Sequence, residues 1–185
     1  MANVKPTLIL TVITAVIAAL LIVASTVWPE PTGLTETLKE KCVSLAGEGE
    51  YMIASNLTGY EAVQSENAII KNIINNDKKD IIFEVVANGY VKGGLDVLIA
   101  MDVNGSVKGI EIVELKETPG LGTKVNDPVF IEKFIGLSEQ AQIVKTAPKN
   151  DTEVQAITGA TYSSKGMADA VNLAIETYKV LEVKE

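Results

Sequence analysis

The chain has 185 residues, a formal net charge of −8, no histidine and one cysteine, and all 16 of its basic residues are lysines. The lack of histidine and arginine excludes Ser–His or Cys–His nucleophile pairs, His-ligated zinc or haem, and bidentate arginine clamps for phosphate. The lone Cys42, expected to be a small buried residue, excludes an intrachain disulfide and a four-thiolate iron–sulfur cluster, and the acidic charge disfavours nucleic acid as a partner. Catalysis would therefore depend on carboxylates and lysines, or on a bound organic cofactor that carries the chemistry itself.

An uncharged apolar run stands near the N-terminus. Residues 7–27 consist mainly of Leu, Ile, Val and Ala, and at about 1.5 Å per residue they can cross a hydrocarbon core of about 30 Å. Because Trp28 then sits where an interfacial aromatic is favoured, we predict a transmembrane helix at residues 7–28, after a short N-terminus of residues 1–6. A cleaved signal peptide is the alternative. Lysines on both sides of the run leave its orientation undecided.

The segment after this run has the spacing of an amphipathic helix. At residues 34–46, Leu34, Leu38, Cys42 and Leu45 recur along one face, which predicts a helix that buries this face.

The central part of the chain is rich in β-branched residues. Runs at residues 80–87, 93–103 and 107–115 are separated by Asn-Gly pairs, which indicate hairpins and hence an antiparallel meander. Alternation in the second run predicts one face more fully buried than the other. Residues 68–75, just before the meander, are expected to form a short helix.

The C-terminal part combines short strands with helices. Asp127 before Pro128 predicts the start of a short helix, and residues 142–146 and 153–157 are predicted strands. The chain after the apolar run therefore fits one α+β domain, with helices packed on an antiparallel sheet.

A cluster of hydroxyl residues and a glycine precedes the last helix. Residues 157–164 read Ile-Thr-Gly-Ala-Thr-Tyr-Ser-Ser, and the apolar stripe of a helix begins at Met167. Ser163 or Ser164 can cap that helix, whose free N–H groups favour an anion such as a phosphate monoester, while Gly159 permits close backbone approach. Taken alone, the cluster could also be an ordinary helix cap.

A second segment, Glu-Thr-Pro-Gly-Leu-Gly at residues 117–122, follows the third strand-like run. Its Pro-Gly pair is the one expected at the centre of a type II turn. On its own, this segment could be a plain tight turn.

These two segments, about forty residues apart, and the N-terminal anchor together resemble the RnfG family, the G subunits of Rnf electron-transport complexes. The resemblance is strongest at residues 88–136 and 154–171 and faint at residues 29–79. It implies a small domain with FMN attached covalently through its phosphate to a threonine, here Thr161. It also implies electron transfer between ferredoxin and NAD, coupled to sodium or proton translocation, as one component of a larger enzyme.

The resemblance further implies a site, an arrangement and partners. Residues 29–79 would be a helical connector and residues 80–185 the FMN-binding core, held on the extracytoplasmic side of the cytoplasmic membrane by a single span. The partners would be other subunits of an Rnf-type complex, membrane lipid and, during maturation, a flavin transferase. No catalytic residue and no metal ligand is expected. The expected cofactor-binding residues are Thr161, Thr158, Gly159, Ala160, Ser163 and Ser164 around the phosphate, and Glu117, Thr118, Leu121, Gly122 and Lys124 against the flavin.

One position departs from the family pattern, which usually has an acidic residue three places before the first hydroxyl of the motif. Gln155 occupies this position, so a membrane-tethered assembly module without redox chemistry remains an alternative. The C subunits of sodium-pumping NADH:quinone oxidoreductases, which have a similar domain in a longer chain, are another. An independent flavin reductase is disfavoured because no glycine-rich dinucleotide-binding turn is present.

Overall fold

The computed structural model describes residues 10–19, 33–55, 57–76 and 80–183, without the side chains of residues 182 and 183. The chain divides into two units, Met1–Gly33 and Leu34–Glu185. In the first unit, residues 10–19 are helical, and we call this stretch α1. No helix within the described residues combines the length and the hydropathy of a membrane span. Residues 7–9 and 20–28 of the predicted span lie outside the described part, and the span stays a prediction.

The second unit is built from short helices and strands. Its helices are α2 (Glu36–Ala46), α3 (Pro128–Ile131) and α4 (Thr161–Val180). Its strands are β1 (Tyr51–Ile53), β2 (Leu57–Thr58), β3 (Ala68–Asn76), β4 (Ile81–Ala87), β5 (Leu95–Met101), β6 (Val107–Leu115), β7 (Gln142–Val144), β8 (Glu153–Gln155) and β9 (Glu182–Val183).

Five antiparallel strands form the main sheet in the order β1-β3-β4-β5-β6. The predicted meander is therefore confirmed as β4, β5 and β6, with Ile99 opposite both Phe83 and Ile110. The predicted strands near residues 142–146 and 153–157 are also confirmed, as the parallel pair β7 and β8.

The helix predicted at residues 68–75 is wrong, because this segment is strand β3. A bulge between Ile70 and Asn72 shifts the register with β4, so Ile70 and Ile73 pack into the same core although their spacing in a regular strand would place them on opposite faces. The bulge thus removes the alternation that marks a strand. This segment is a strand because it pairs with β1 on one side and β4 on the other.

Both faces of the sheet carry a hydrophobic core. One core lies between the sheet and α4, and includes Val97 and Ile99 of β5. The other lies against α2, and includes Leu98 and Ala100 of β5. All residues of β5 are buried, so the prediction of one less buried face is wrong. Helices cover both sides of this central strand, which the sequence of the strand alone does not specify.

Helix α2 confirms the prediction for residues 34–46. The hydroxyl group of Thr35 accepts a hydrogen bond from Leu38 N at 3.4 Å and caps its N-terminus. Leu38 and Cys42 are buried against the sheet, as expected.

The two other helices have different starts. Helix α3 begins at Pro128, directly after Asp127, as predicted. Helix α4 begins at Thr161 rather than near Ser164, and the backbone of Ala160 stands at its N-cap. Ser163 and Ser164 therefore lie inside the first turn of α4, and the prediction that either one caps this helix is wrong.

Candidate functional site

A cavity of about 310 Å³ opens between the turn after β6 and the start of α4, a size at the lower end of small-molecule sites. Its lining residues are Tyr90, Thr118, Leu121, Gly122, Gly159, Ala160, Thr161, Tyr162 and Ser163. The two motifs recognised in the sequence therefore meet at one cavity. We call it the 118/161 cavity.

The turn at residues 118–121 forms one wall of the cavity. The N–H of Leu121 donates to the carbonyl oxygen of Thr118 at 3.2 Å, and Gly120 has a φ of +73°, as the third residue of a type II turn requires. The hydroxyl group of Thr123 accepts a hydrogen bond from Gly120 N at 2.9 Å. This turn leaves the side chain of Leu121 45% exposed at the cavity.

The N-terminus of α4 forms the opposite wall. Thr161 is its first residue, Ala160 provides no side-chain cap, and the first turn contains no acidic residue. A helix of this kind favours an anion at its N-terminus, because its first N–H groups have no acceptor within the helix and its dipole is positive there. The half-buried Thr161 thus places a hydroxyl group where a phosphate is favoured.

Gly159 brings the two walls together. Its φ is +82°, and a Cβ placed on it would lie 3.3 Å from Cδ2 of Leu121. A side chain here would therefore strain the backbone and press on the opposite wall.

Ser164 supports the first turn of α4 from the inside. Its hydroxyl group accepts a hydrogen bond from Ile157 N at 3.0 Å and donates to the carbonyl oxygen of Ala160 at 2.9 Å. It is fully buried, and it is not among the residues that line the cavity. Ser164 therefore fixes the segment before Thr161 to the helix.

Glu117 lies behind the cavity wall. Its exposed fraction is 4%, and its carboxylate accepts hydrogen bonds from Tyr90 N at 3.1 Å, from Val91 N at 3.0 Å and from the hydroxyl group of Ser163. The lining residues do not include it. Glu117 therefore binds the loop and the first turn of α4 that surround the cavity, and its side chain does not line the cavity itself.

Two further predicted residues, Thr158 and Lys124, are exposed near the site. Thr158 precedes Gly159 at the surface, and Lys124 belongs to the 3₁₀ turn Gly122–Asn126. Neither is among the lining residues, and their predicted contacts with FMN stay predictions.

Tyr90 and Tyr162 line the cavity but were not among the site residues predicted from the sequence. They are 72% and 67% exposed, and their rings meet edge to face with centroids 6.4 Å apart. Tyr162 directly follows Thr161, so its position in the motif was a usable signal. Tyr90 reaches the site through the loop at residues 88–94, and no local pattern marks it.

The chemistry of the lining fits a bound organic anion. It supplies hydroxyl groups, backbone N–H groups, an aliphatic side chain and two aromatic rings, which suit a phosphate at one end and a flat ring system at the other. Within the described ranges, no group of three or more His, Cys, Asp and Glu side chains is placed to hold a metal ion.

Comparison with known proteins agrees with this description. Residues 90–176 match the family model of the FMN-binding domain. The G subunit of the Na⁺-translocating ferredoxin:NAD⁺ oxidoreductase complex of Acetobacterium woodii is 39% identical over 97 residues, covering 51% of this chain and 46% of that protein. The G subunit of the proton-translocating ferredoxin:NAD⁺ oxidoreductase complex of Clostridium ljungdahlii is 30% identical over 145 residues, covering 68% of this chain and 78% of that protein.

Among solved structures, the C subunit of the Na⁺-translocating NADH-quinone reductase of Parabacteroides distasonis matches with a TM-score of 0.49 and 21% identity. The match covers 69% of this chain and 76% of that one.

The chain spans about half the length of the Acetobacterium relative and about three quarters of the Clostridium relative. The chain belongs to the family of G subunits of ion-translocating ferredoxin:NAD⁺ oxidoreductase complexes.

Proposed function

We propose that the chain is a membrane-anchored flavoprotein subunit of an Rnf-type complex. In this proposal it holds FMN covalently on Thr161 and relays electrons between ferredoxin and NAD, coupled to sodium or proton translocation. The observation that supports it most directly is the 118/161 cavity, where the hydroxyl-bearing N-terminus of α4 faces the turn at residues 118–121. The names of the relatives support the choice of complex.

Each wall of the cavity has its own task in the proposed site. The hydroxyl oxygen of Thr161 is the atom that forms the phosphoester, and the first N–H groups of α4 stabilise the phosphate charge. Thr118 and Leu121 offer a hydroxyl group and an apolar surface to the rest of the flavin. When bound, FMN would supply the redox chemistry that the side chains of this chain lack.

Attachment at one point suits a protein that passes electrons between partners. A tethered cofactor keeps a fixed position, and attachment through the phosphate leaves its ring covalently unmodified, so stacking, hydrogen bonds and local dielectric would tune its potential. We place residues 7–28 in the cytoplasmic membrane, with the flavin domain on the extracytoplasmic side. A flavin transferase acts during maturation, and other subunits of the complex deliver and accept the electrons.

The test is whether flavin is attached, and where. The full chain is produced with its native maturation system, denatured and run on a gel, and flavin fluorescence in the band is followed by mass spectrometry of the modified peptide. We expect an FMN phosphoester on Thr161, retained in Thr161→Ser and lost in Thr161→Val. Thr146→Val is the matched control, because Thr146 is an exposed threonine away from the cavity.

The opposite result has a definite meaning. Flavin that persists covalently in Thr161→Val would refute the assignment of the attachment residue. A wild-type chain that stays unmodified with transferase present would point instead to the assembly module, with Gln155 in the place of the usual acidic residue as the departure to examine first.

A further inference from the structure

The carboxylate of Glu117 joins three separate segments of the site. Glu117 itself begins the segment that leads into the turn at residues 118–121, Tyr90 and Val91 belong to the loop at residues 88–94, and Ser163 belongs to the first turn of α4. Tyr90 and Ser163 both line the cavity. A displacement of this one side chain would therefore move both the 88–94 loop and the first turn of α4.

Glycines leave just enough space for this carboxylate. A Cβ added to Gly89 would lie 2.5 Å from Oε1 of Glu117, and one added to Gly122 would lie 2.7 Å from Oε2. Such distances are well below an ordinary van der Waals contact, so the surrounding backbone is packed against the carboxylate oxygens.

We infer that Glu117 is a positioning residue for flavin attachment: by binding the 88–94 loop and Ser163, it holds the hydroxyl group of Thr161 in place against the turn at residues 118–121. Thr161 and Ser163 lie in the same turn of α4, so the hydrogen bond at Ser163 fixes the start of the helix. The inference rests on the proposed function, since it assumes that Thr161 carries the flavin.

The effect should appear in the rate of attachment. In the attachment step the hydroxyl oxygen of Thr161 bonds to the flavin-side phosphorus of a flavin dinucleotide donor, the P–O bond of the donor's diphosphate breaks, and a nucleoside monophosphate leaves while the hydroxyl proton passes to solvent. The step requires the hydroxyl oxygen at attacking distance from the phosphorus atom, and a misplacement of about 1 Å can slow it by about 100-fold. Because Glu117 touches neither the phosphate nor the attacking oxygen in this assignment, its contribution is to geometry alone.

Two substitutions separate this role from a general loss of folding. Glu117→Gln keeps the shape but replaces one acceptor oxygen by an NH₂ group, which cannot accept from the backbone N–H group that faces it, that of Tyr90 or that of Val91. Ser163→Ala removes only the bond to α4. Glu114→Gln is the matched control, because Glu114 lies on the adjoining strand β6, is 55% exposed and pairs only with Lys116 among the described residues.

The experiment measures single-turnover flavin attachment to the full-length chains, with native flavin transferase and an excess of the flavin dinucleotide donor. We expect Glu117→Gln and Ser163→Ala each to be about 10-fold slower or more, and Glu114→Gln to match the wild type. The double variant should be no slower than the slower single variant, because each substitution breaks the same series of hydrogen bonds, which runs from the 88–94 loop through Glu117 to Ser163. In chains that do become loaded, the flavin fluorescence anisotropy should be lower than in the wild type, a change that lower stability alone would not produce.

A second measurement examines the link without flavin. In full-length Thr161→Val chains, adding Glu117→Gln should accelerate hydrogen–deuterium exchange of the peptide spanning residues 88–94 by about 10-fold, because two N–H groups lose a charged acceptor. Adding Glu114→Gln should leave this exchange unchanged.

The outcomes for the two proposals are distinct. If the wild-type chain is loaded on Thr161 while Glu117→Gln attaches flavin at the wild-type rate with wild-type anisotropy, the positioning role is overturned and the proposed function stands. If the wild-type chain takes no flavin with transferase present, the proposed function fails and the positioning role fails with it. The exchange experiment then still reports whether Glu117 organises the 88–94 loop.

Discussion

Gly166 on α4 lies directly against the carbonyl oxygen of Asn88: a Cβ placed on this glycine would be 2.5 Å from that atom. Asn88 begins the loop that carries Tyr90 to the cavity, and Gly166 lies in the second turn of the helix that begins with Thr161. The helix and the loop are thus packed backbone to backbone on the side of the site where Glu117 also joins them.

The contact at Gly166 predicts that alanine is destabilising there, although alanine favours helices. Gly166→Ala should gain about 1 kcal/mol in helix propensity but lose more to the overlap with a backbone oxygen that cannot turn aside, for a net loss of about 1–2 kcal/mol. Gly109→Ala is the comparison. A Cβ on Gly109 would lie 2.7 Å from the end of the Leu45 side chain, and this flexible side chain can move away, unlike a backbone oxygen. Denaturant unfolding of the two variants measures this, and a Gly166→Ala chain more stable than the wild type would contradict it.

A second prediction concerns the buried acid Glu84. This residue is 1% exposed, and Lys71 donates to its Oε1 at 2.5 Å and to Asp96 at 3.0 Å. Lys71→Met keeps most of the apolar stem of the side chain but leaves both acids without their cation, and we expect a loss of about 2–3 kcal/mol in the free energy of unfolding, moderated because Lys71 is half exposed. Lys39→Met, which breaks an exposed pair with Glu36, should cost under about 0.5 kcal/mol. Equal losses in the two variants would show that the buried acids do not depend on Lys71.

The pH dependence of stability should carry a contribution from Asp96. Burial raises the pKa of Asp96 above its ordinary value of 3.8, and Lys71 opposes this shift while Glu84 adds to it. The folded chain therefore binds the Asp96 proton more tightly than the unfolded chain, and this group favours the folded state more as pH falls from above its folded pKa towards 3.8.

Comparison with Asp96→Asn isolates that contribution. The wild-type free energy of unfolding minus that of Asp96→Asn should increase as pH is lowered from about 7 to about 4, because the variant has no proton to bind at this site. Urea unfolding at several pH values gives the difference. A difference that stays constant or shrinks over this range would mean that Asp96 is not held in the environment described.

Cys42 should be chemically inert in the folded chain. It is fully buried against the sheet, and burial, with a further contribution from Glu84, raises its pKa to about 11. Since the thiolate is the reactive form, a thiol reagent at about pH 8 should react only as fast as the domain opens. Titration with a chromogenic disulfide reagent in buffer and in denaturant checks this, with Cys42→Ser as the blank. Rapid labelling in buffer would contradict it.

The sequence predicted the parts of this fold that local rules determine. Asn-Gly pairs and β-branched runs predicted β4 to β6, and the order Asp127-Pro128 predicted the start of α3. Local rules failed where segments distant in sequence determine the structure. The bulge at Ile70 interrupts the alternation of β3, so this segment was predicted as a helix. Both faces of β5 are buried because one helix packs on each face, which the sequence of β5 does not indicate. Burial by remote segments is a property of the assembled fold.

The site shows the same division. The turn and the helix start meet at one cavity, and the family resemblance had paired them. What the sequence did not reveal is the direction of individual side chains: Glu117 turns inward to the backbone of Tyr90, and Ser164 turns back to Ile157. Both directions depend on hydrogen-bond partners that other parts of the chain supply, which residue type and spacing do not specify.

The close approach of Gly159 to Leu121 gives a last prediction, with a control that the chain itself provides. Gly159 and Gly136 have nearly the same positive φ, +82° and +84°, but a Cβ on Gly136 would meet nothing within 4 Å, whereas one on Gly159 would press on Leu121. Alanine at either position should cost about 1–2 kcal/mol in stability because of backbone strain. Only Gly159→Ala should also widen the gap between the two walls of the cavity and slow the proposed flavin attachment to Thr161, by about 10-fold. Thermal unfolding and single-turnover attachment, measured on both variants, separate the two effects. If Gly136→Ala slowed attachment as much as Gly159→Ala, strain in the domain rather than the contact with Leu121 would be the cause.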